Sequence, residues 1–278
     1  MNPPLPSLRT GAGHLGVSLV EGLSSVTASA ATDPLKVLVS TPRGRCAWAF
    51  TTTYGGGLLA GDRIDLRVAV AAGASLYLGT QASTKIYRSP EGLAAEQRLR
   101  LSAGPGSVVV GLPDPVTPFA TAVHLQDQEL EVAASASLIW LDGVTSGRAA
   151  RAERWQCTRH RSAVRLRVDG RLRFIDCLDL GRETTPLPIR TGDYGAFATL
   201  LIGGQVFASL AERILTEVAP SPLPAPRSPL LLTAAPIAGW GTVVRLAATE
   251  RETLDRQVRR LLGDLRPVIA DDPWERRP

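Results

Sequence analysis

The sequence predicts a mainly β protein of stacked β-sheets or hairpins, in a β-helical or sandwich-like arrangement, with two C-terminal α-helices. Three observations predict this fold class. Apolar and polar residues alternate with a period of two from about residue 14 to 180. A strand–turn–strand unit recurs roughly every 30 residues within that stretch. Two stripes of apolar residues at helical spacing follow in the last third of the chain.

The recurring unit consists of a half-exposed strand, a short turn of small residues and a more buried strand. It occurs at 64–78, 97–110 and 129–141, and a looser fourth copy contains the hairpin signal Asp169-Gly170. Stacked hairpins, a solenoid-like pile of strands and a β-sandwich with uniform turns all fit this pattern. If the units stack in register, the polar loops after the buried strands meet along one edge of the fold.

The chain is expected to form a single β-rich domain over residues 14–278, after a loose Pro- and Gly-rich segment over residues 1–13. Helices are expected near 205–218 and 250–265, where apolar residues recur at helical spacing. We expect both apolar stripes to pack on the core or dock a partner, with core packing favoured, and neither to carry chemistry.

Composition narrows the class of protein. The 278 residues carry a net charge of +5, and nearly all of the positive charge comes from arginines that alternate with acidic and apolar residues. That pattern is typical of solvated strand faces, so nucleic-acid binding is not expected. The three cysteines are widely spaced and form no metal-binding or disulfide pattern. With no signal-peptide pattern and no long apolar run, we expect a cytoplasmic protein without membrane contact.

A catalytic constellation is not recognisable in the sequence. The three histidines, His14, His124 and His160, lie in unrelated segments without metal-ligand spacing, and each is expected to be a surface or internally hydrogen-bonded residue. The glycine-rich run 55–62 lacks the Lys-Ser/Thr of a phosphate-binding loop and precedes a strand. It predicts a turn in which backbone approaches backbone. We therefore expect no enzymatic activity.

Carboxylates near strand ends leave one catalytic alternative open. Two of them at glycosidase spacing would make the chain a carbohydrate-active enzyme on a β-rich fold. Aromatic residues, which form the platforms that bind sugars, make up only 5% of the chain. The sequence therefore places this alternative behind a non-enzymatic role.

Five motifs in chain order resemble those of the UreD (UreH) family of urease accessory proteins. They are a Gly-Gly-x-x-x-Gly-Asp segment, a Thr-Gln-x-x-Thr-Lys-x-Tyr segment, a Pro-Asp-Pro-Val-x-Pro-Phe segment, a Gly-Arg pair followed by Glu, and a Val-Arg-Leu strand before a closing helix. The matching positions are Gly56, Gly57, Gly61, Thr80, Gln81, Thr84, Lys85, Tyr87, Pro113, Pro115, Pro118, Phe119, Gly147 and Arg148.

The resemblance implies a function. It implies a β-rich scaffold or chaperone that binds a UreF-type accessory protein, works with a UreG-type GTPase and docks on apo-urease. Nickel would pass through an internal channel to the urease active site, so the ion would be transferred rather than retained. An interaction scaffold without any metal path is the competing interpretation.

Candidate lining residues for such a path follow from their position at strand ends. Nickel(II) accepts oxygen and nitrogen ligands, and a transfer site must bind the ion weakly enough to release it. A turn-capping or ion-paired role competes with a metal role at each position, and Lys85 is expected to form a buried ion pair with one of the acids. The candidates are Asp62, Asp114, Asp142, Glu153 and Asp176.

Overall fold

Eighteen strands and four α-helices lie in the described part of the computed structural model, which covers residues 9–41, 44–181, 186–221 and 228–275. The strands are β1 (Thr10–Val20), β2 (Leu23–Ala31), β3 (Leu35–Val39), β4 (Ala47–Thr53), β5 (Gly57–Leu58), β6 (Arg63–Val70), β7 (Ser75–Thr80), β8 (Lys85–Ile86), β9 (Ala95–Ala103), β10 (Val108–Leu112), β11 (Thr117–Pro118), β12 (Val123–Val132), β13 (Ser137–Thr145), β14 (Arg159–Val168), β15 (Arg171–Gly181), β16 (Ala196–Gly203), β17 (Leu230–Ile237) and β18 (Gly241–Ala248). The helices are α1 (Leu187–Thr191), α2 (Ala208–Val218), α3 (Arg251–Leu262) and α4 (Arg266–Ile269).

These strands form three sheets. Sheet I has the order β15-β14-β12-β9-β6-β1-β2, and sheet II has the order β17-β18-β16-β13-β10-β7-β4-β3. The small sheet III has the order β11-β8-β5. The predicted fold class is confirmed, because the chain is mainly β, its sheets are stacked and its longer helices lie near the C-terminal end.

Each of the first three sequence repeats belongs to one coil of a β-solenoid. The chain passes from β6 in sheet I to β7 in sheet II and β8 in sheet III, then returns to sheet I as β9. Neighbouring coils pair in parallel, so Val68, Leu101, Leu130 and Leu166 occupy adjacent positions across sheet I. The two strands of each of these repeats therefore lie in different sheets and form coils, whereas the fourth, looser copy is a hairpin within sheet I.

The solenoid is closed by antiparallel strands. The predicted Asp169-Gly170 turn is confirmed: it joins β14 to β15 as an antiparallel hairpin, with φ of 47° at Asp169 and 74° at Gly170. Positive φ at both central residues is the conformation that Asn-Gly and Asp-Gly hairpins favour. Strands β16, β18 and β17 extend sheet II beyond β13 with antiparallel pairing.

Sheet II is buried on both faces. Leu138 and Trp140 of β13 face sheet I, while Ile139 and Leu141 belong to a second core with the helices. Burial on both faces explains why the β13 sequence is almost continuously apolar rather than alternating. Helices α2 and α3 cover the outer face through Ile214 and other apolar residues, so both predicted apolar stripes pack on the core.

The N-terminal boundary differs from the expectation. Strand β1 begins at Thr10 and pairs in parallel with β6 from Thr10 to Val17, so 10–13 belong to sheet I and are not loose. The expectation for residues 1–8 lies outside the described residues. None of the helices in the described ranges is long and apolar enough to cross a membrane.

Candidate functional site in a polar layer between the sheets

The inward face of sheet I changes from apolar to polar toward one end. Gln97 of β9, Gln126 of β12 and Ser162 of β14 occupy adjacent register positions on that face. His124 pairs with His160 in the next inward row. Buried polar groups are costly unless they are hydrogen-bonded, so the partners of these side chains define what the layer can do.

Asp142 of β13 is the centre of this layer. Gln126 Nε2 donates to Asp142 Oδ1 over 3.0 Å, and Ser162 Oγ donates to Asp142 Oδ2 over 2.7 Å. Gln128 Nε2 donates to Ser162 Oγ over 3.3 Å, and Trp140 Nε1 donates to Gln128 Oε1 over 2.8 Å. Burial raises the pKa of the Asp142 carboxyl above its usual value, and the hydrogen bonds from Ser162 and the glutamines oppose that rise.

Asp176 of β15 is a second carboxylate in the same layer. Thr199 Oγ1 and the Arg245 guanidinium each donate to it over 3.1 Å, and both come from sheet II. The negative charge of Asp176 contributes further to the raised pKa of Asp142. The two carboxylates are therefore close enough to interact electrostatically.

Asp114, in the loop after β10, is a third carboxylate, with a side chain only 4% exposed. Thr80 Oγ1 donates to Asp114 Oδ2 over 3.1 Å and accepts the Asp114 backbone N–H over 2.8 Å. The Arg251 guanidinium of α3 donates to Asp114 Oδ1 over 2.7 Å and to Asp255 over 3.2 Å. This network joins the solenoid to α3.

Three neighbouring cavities lie beside these carboxylates and share lining residues. The central cavity, of about 100 Å³, lies between sheets I and II and is lined by Thr80, Thr84, Gln97, Asp114, Gln126, Gln128 and Asp142, among others. The helix-side cavity, of about 180 Å³, shares Pro113 and Asp114 with it and extends to α3. The β15-side cavity, of about 150 Å³, shares Asp142 and Gly143 with it and extends to Asp176. Each volume is enough for several water molecules.

The remaining two candidates, Asp62 and Glu153, line none of these three cavities. Asp62 accepts two hydrogen bonds from Arg9, of 3.1 and 2.6 Å, and one from the Leu59 backbone N–H over 2.9 Å. This is the turn-capping, ion-paired arrangement that competed with a metal role.

Glu153 is held by two arginines. Arg148 Nε donates to Glu153 Oε2 over 2.8 Å, and the Arg88 guanidinium contacts Oε1. The hydrogen bonds from Arg148, followed by those from Arg88, lower the pKa of Glu153 from 4.5 to about 2. Arg148 belongs to the same loop as Glu153, so its ion pair closes the loop, and Arg88 ties the loop to the segment after β8.

Two histidines that are distant in sequence meet in the polar layer. His124 Nδ1 lies 3.1 Å from His160 Nδ1, and His124 Nε2 lies 2.8 Å from Gln97 Oε1. Both histidines are almost fully buried, so the expectation of internally hydrogen-bonded residues is confirmed for them. Their segments are unrelated in sequence, and the stacking of the coils brings the two histidines together. Each is the second residue of its strand in consecutive coils, a signal that the sequence repeat contained.

These groups do not form a metal site in which three or more protein ligands surround one ion. Within the described ranges, no three His, Cys, Asp or Glu residues gather closely enough to hold a metal ion together. The layer instead offers carboxylate, hydroxyl, amide and imidazole ligands that are spread along neighbouring cavities.

Comparison with known proteins decides the family. The model of the UreD urease accessory protein family matches residues 9–277. The chain belongs to the UreD family. The urease accessory protein UreD of Anaeromyxobacter sp. (strain Fw109-5) is 41% identical over 276 residues, covering 99% of this chain and 92% of that protein. That of Sorangium cellulosum is 40% identical, covering 97% and 85%. Urease accessory protein D of Oryza sativa subsp. japonica is 29% identical, covering 97% and 95%.

Membership of the UreD family implies a role in urease maturation and suggests a non-catalytic one. The match spans the solenoid, the polar layer and α3, so all three cavities lie in the part of the chain that resembles the family.

Several motif residues that resemble the UreD pattern meet at sheet III. The Tyr87 hydroxyl donates to the Gly55 carbonyl over 2.8 Å, and the Tyr87 and Phe119 rings pack edge to face at 5.5 Å. The Arg148 guanidinium lies over the Phe119 ring at 4.3 Å. A Cβ on Gly57 would lie 2.3 Å from the Lys85 carbonyl oxygen, so the predicted close approach of backbone to backbone is confirmed.

The other motif residues do not lie together: some line the central cavity, some are exposed and some are in turns. Thr80, Thr84 and Pro113 line the central cavity, while Gln81 and Lys85 are exposed. The prediction of a buried ion pair for Lys85 is therefore wrong. Among the others, Pro118 belongs to β11, Pro115 lies beside Gly143, and Gly56, Gly61 and Gly147 have positive φ.

Proposed function

We propose that the protein is a non-catalytic scaffold in urease maturation that delivers nickel to apo-urease through the polar layer between sheets I and II. The observation that carries the proposal is the row of three neighbouring cavities that share Asp114 or Asp142 as lining residues. In this proposal, Asp114, Asp142 and Asp176 contact the moving ion, whereas Asp62 and Glu153 stabilise the fold.

The chemistry of the layer suits transfer. Carboxylate, hydroxyl and amide oxygens offer ligands that nickel(II) accepts, and the water that the cavities can hold would complete its coordination. Asp142 and Asp176 carry carboxylates inside the layer, where a divalent cation would lose part of its hydration shell. Because the oxygens are spread along the cavities, the ion would meet a series of weak sites and no closed one.

The proposed partners are those of the family assembly. A UreF-type protein would bind the scaffold and recruit a UreG-type GTPase in the cytoplasm, and the complex would dock on apo-urease. Family membership supports this assignment. One end of the path would receive nickel from the GTPase side, and the other would release it toward urease.

The size of the cavities favours an ion over a sugar. Pockets that bind small organic molecules usually measure about 300–1,000 Å³. The three cavities measure about 100, 150 and 180 Å³. Each is smaller than such a pocket and large enough for a hydrated or partly hydrated cation.

The test is to block the path at two of its carboxylates. Asp142→Leu and Asp176→Leu would be coexpressed with urease subunits and the UreF- and UreG-type proteins. We expect the nickel content and activity of urease to fall by roughly tenfold or more, the scale of losing a contact that supports a metal, while pull-down of the complex is unchanged.

The matched control is Asp127→Leu, because Asp127 lies on the outer face of β12 and pairs with Arg161 and Arg165. We expect this variant to leave the nickel content of urease near the wild-type level. Normal nickel loading by both path variants within an intact complex would contradict the metal path and favour the plain interaction scaffold.

A further inference from the structure

One member of the His124–His160 pair borders the proposed path. His160 lines the β15-side cavity together with Asp142, Ser162 and Asp176. His124 lies behind it, 0% exposed, with the two Nδ1 atoms 3.1 Å apart. The pair contributes only hydrogen bonds to the fold as described, and the oxygen path does not use it.

We propose that His124 and His160 form a two-imidazole binding site for a divalent borderline metal, which is nickel if the proposed function holds. The site would be a transient binding site in the wall of the β15-side cavity, where the ion exchanges oxygen ligands for nitrogen ligands. The inference rests on the proposed function for the identity of the ion, but the coordination itself can be measured separately.

The spacing of the two nitrogens suits a metal ion. Metal–nitrogen bonds to histidine are about 2.0–2.1 Å long for ions of this size. Two Nδ1 atoms 3.1 Å apart would then subtend an angle of about 95–102° at the ion, between the octahedral and tetrahedral values. Imidazole is a ligand that nickel accepts readily.

The hydrogen bond to Gln97 prepares one ligand. Gln97 Oε1 can only accept, so His124 carries its proton on Nε2 and presents the lone pair of Nδ1 to His160. His160 then donates from Nδ1 in the metal-free pair. When the metal binds, the His160 proton moves from Nδ1 to Nε2, and both Nδ1 lone pairs face the ion. Both imidazoles stay neutral, and no net proton is released.

Burial keeps both histidines in the form that binds metals. It lowers the pKa of His160 to about 4 and lowers that of His124 well below 6.5, with His160 adding to the latter shift. Both imidazoles are therefore neutral near pH 7, and neither has to be deprotonated from the imidazolium form before it binds a metal.

The pair is positioned for handover to a carboxylate. Ser162 lies two residues beyond His160 on the same face of β14, which corresponds to about 7 Å along a strand, and it donates to Asp142. Two protein nitrogens leave the remaining coordination positions to cavity water. A site of this kind holds an ion less firmly than a closed set of three or four protein ligands, which suits transfer.

The experiment uses the complete chain without a histidine tag and with the substitution His14→Asn. The chain contains only three histidines, so every imidazole bound to nickel in this variant comes from the pair. Ni²⁺ alone is added, and X-ray absorption at the nickel edge counts the imidazole ligands. We expect two per bound nickel. Oxygen-only coordination, fewer than two imidazoles, or no nickel binding would overturn the proposal.

A second measurement assigns the ligands. In the same background, His124→Asn and His160→Asn should each abolish the paired imidazole signal and weaken Ni²⁺ binding by roughly 10–100-fold. Because both sites are buried, thermal unfolding checks the fold of each variant. The first measurement needs no core substitution and decides the proposal even if these variants do not fold.

The outcomes separate the two proposals. Oxygen-only coordination combined with loss of urease activation in Asp142→Leu would contradict the histidine site and support the path. Two imidazoles per nickel combined with normal activation in Asp142→Leu and Asp176→Leu would support the histidine site and contradict the path.

Discussion

The Ser162 hydroxyl donates a hydrogen bond of 2.7 Å to Asp142 Oδ2 and so joins sheet I to sheet II across the core. Ser162 lies on β14 and Asp142 on β13, and both face inward. Asp142 lines both the central and the β15-side cavity, so the carboxylate that the proposed path needs is also one that the fold must bury.

Asp142→Asn should raise the thermal stability of the protein at pH 7. The folded-state pKa of Asp142 is raised above its unfolded value, so the ionised form costs stability once the pH exceeds the unfolded pKa. Asparagine is neutral, can still accept from Gln126 and can donate to the Ser162 hydroxyl. Thermal unfolding at several pH values measures the effect.

The gain from Asp142→Asn should shrink as the pH falls below the unfolded pKa of aspartate, near 3.9, because wild-type Asp142 is then protonated as well. A lower melting temperature than wild type at pH 7 would show that the lost hydrogen bonds outweigh the removal of the buried charge. That result would contradict the prediction.

Glu153→Gln should lower stability at pH 7. The pKa of Glu153 is depressed to about 2 in the folded protein by Arg148 and Arg88. Its contribution to stability is therefore complete above the unfolded pKa of about 4.3 and is lost as the pH falls toward 2. Urea unfolding of both proteins at pH 7 and near pH 3 should show a difference that narrows at the lower pH. Equal stability at pH 7 would mean that the arginine clamp contributes nothing.

The buried histidine pair should make the protein less stable as the pH falls from about 6.5 to 4. The unfolded chain takes up protons on both imidazoles near pH 6.5, whereas the folded protein resists until about pH 4 at His160 and well below 6.5 at His124. Each histidine can add a slope of up to about 1.4 kcal/mol per pH unit.

A double variant, His124→Asn with His160→Asn, should flatten this pH dependence, since asparagine does not titrate. Urea unfolding across the pH range measures the free energy of unfolding, and each single variant should remove part of the slope. An unchanged slope in the double variant would assign the pH dependence to other groups.

Gly57→Ala should destabilise the protein by disrupting sheet III. The added Cβ would lie 2.3 Å from the Lys85 carbonyl oxygen, a backbone atom that cannot move without breaking the β5–β8 pairing. A loss of about 1–3 kcal/mol is expected, the range for overpacking. The control is Gly92→Asn, because Gly92 has φ of 75°, which asparagine tolerates, and a Cβ there would meet nothing within 4 Å.

Local rules explain why much of the fold could be predicted. The alternation of residues in β6 and β12 follows from side chains that point to opposite faces of a strand. The Asp169-Gly170 turn follows from residues that accept positive φ, and the stripe on α3 follows from helical spacing. Each of these features depends only on neighbours in sequence.

The candidate site was only partly predictable, because its contacts depend on residues that are distant in sequence. Asp114, Asp142 and Asp176 line the three neighbouring cavities, but Asp142 and Asp176 lie within β13 and β15 and not at strand ends as expected. Arginines pair with Asp62 and Glu153, which line none of these cavities, and equally with Asp114 and Asp176. The sequence does not separate the two groups, because the residues around each carboxylate come largely from distant segments.

The sequence by itself determined the β class, the repeat, the Asp-Gly hairpin, the C-terminal helices and the family resemblance, since these depend on local periodicity and motif order. Only the tertiary structure decided that the repeats are coils, that His124 meets His160, and that Asp142 lines two cavities. The physical reason is register: parallel pairing between coils sets which side chains become neighbours, and those contacts form across long separations in the chain.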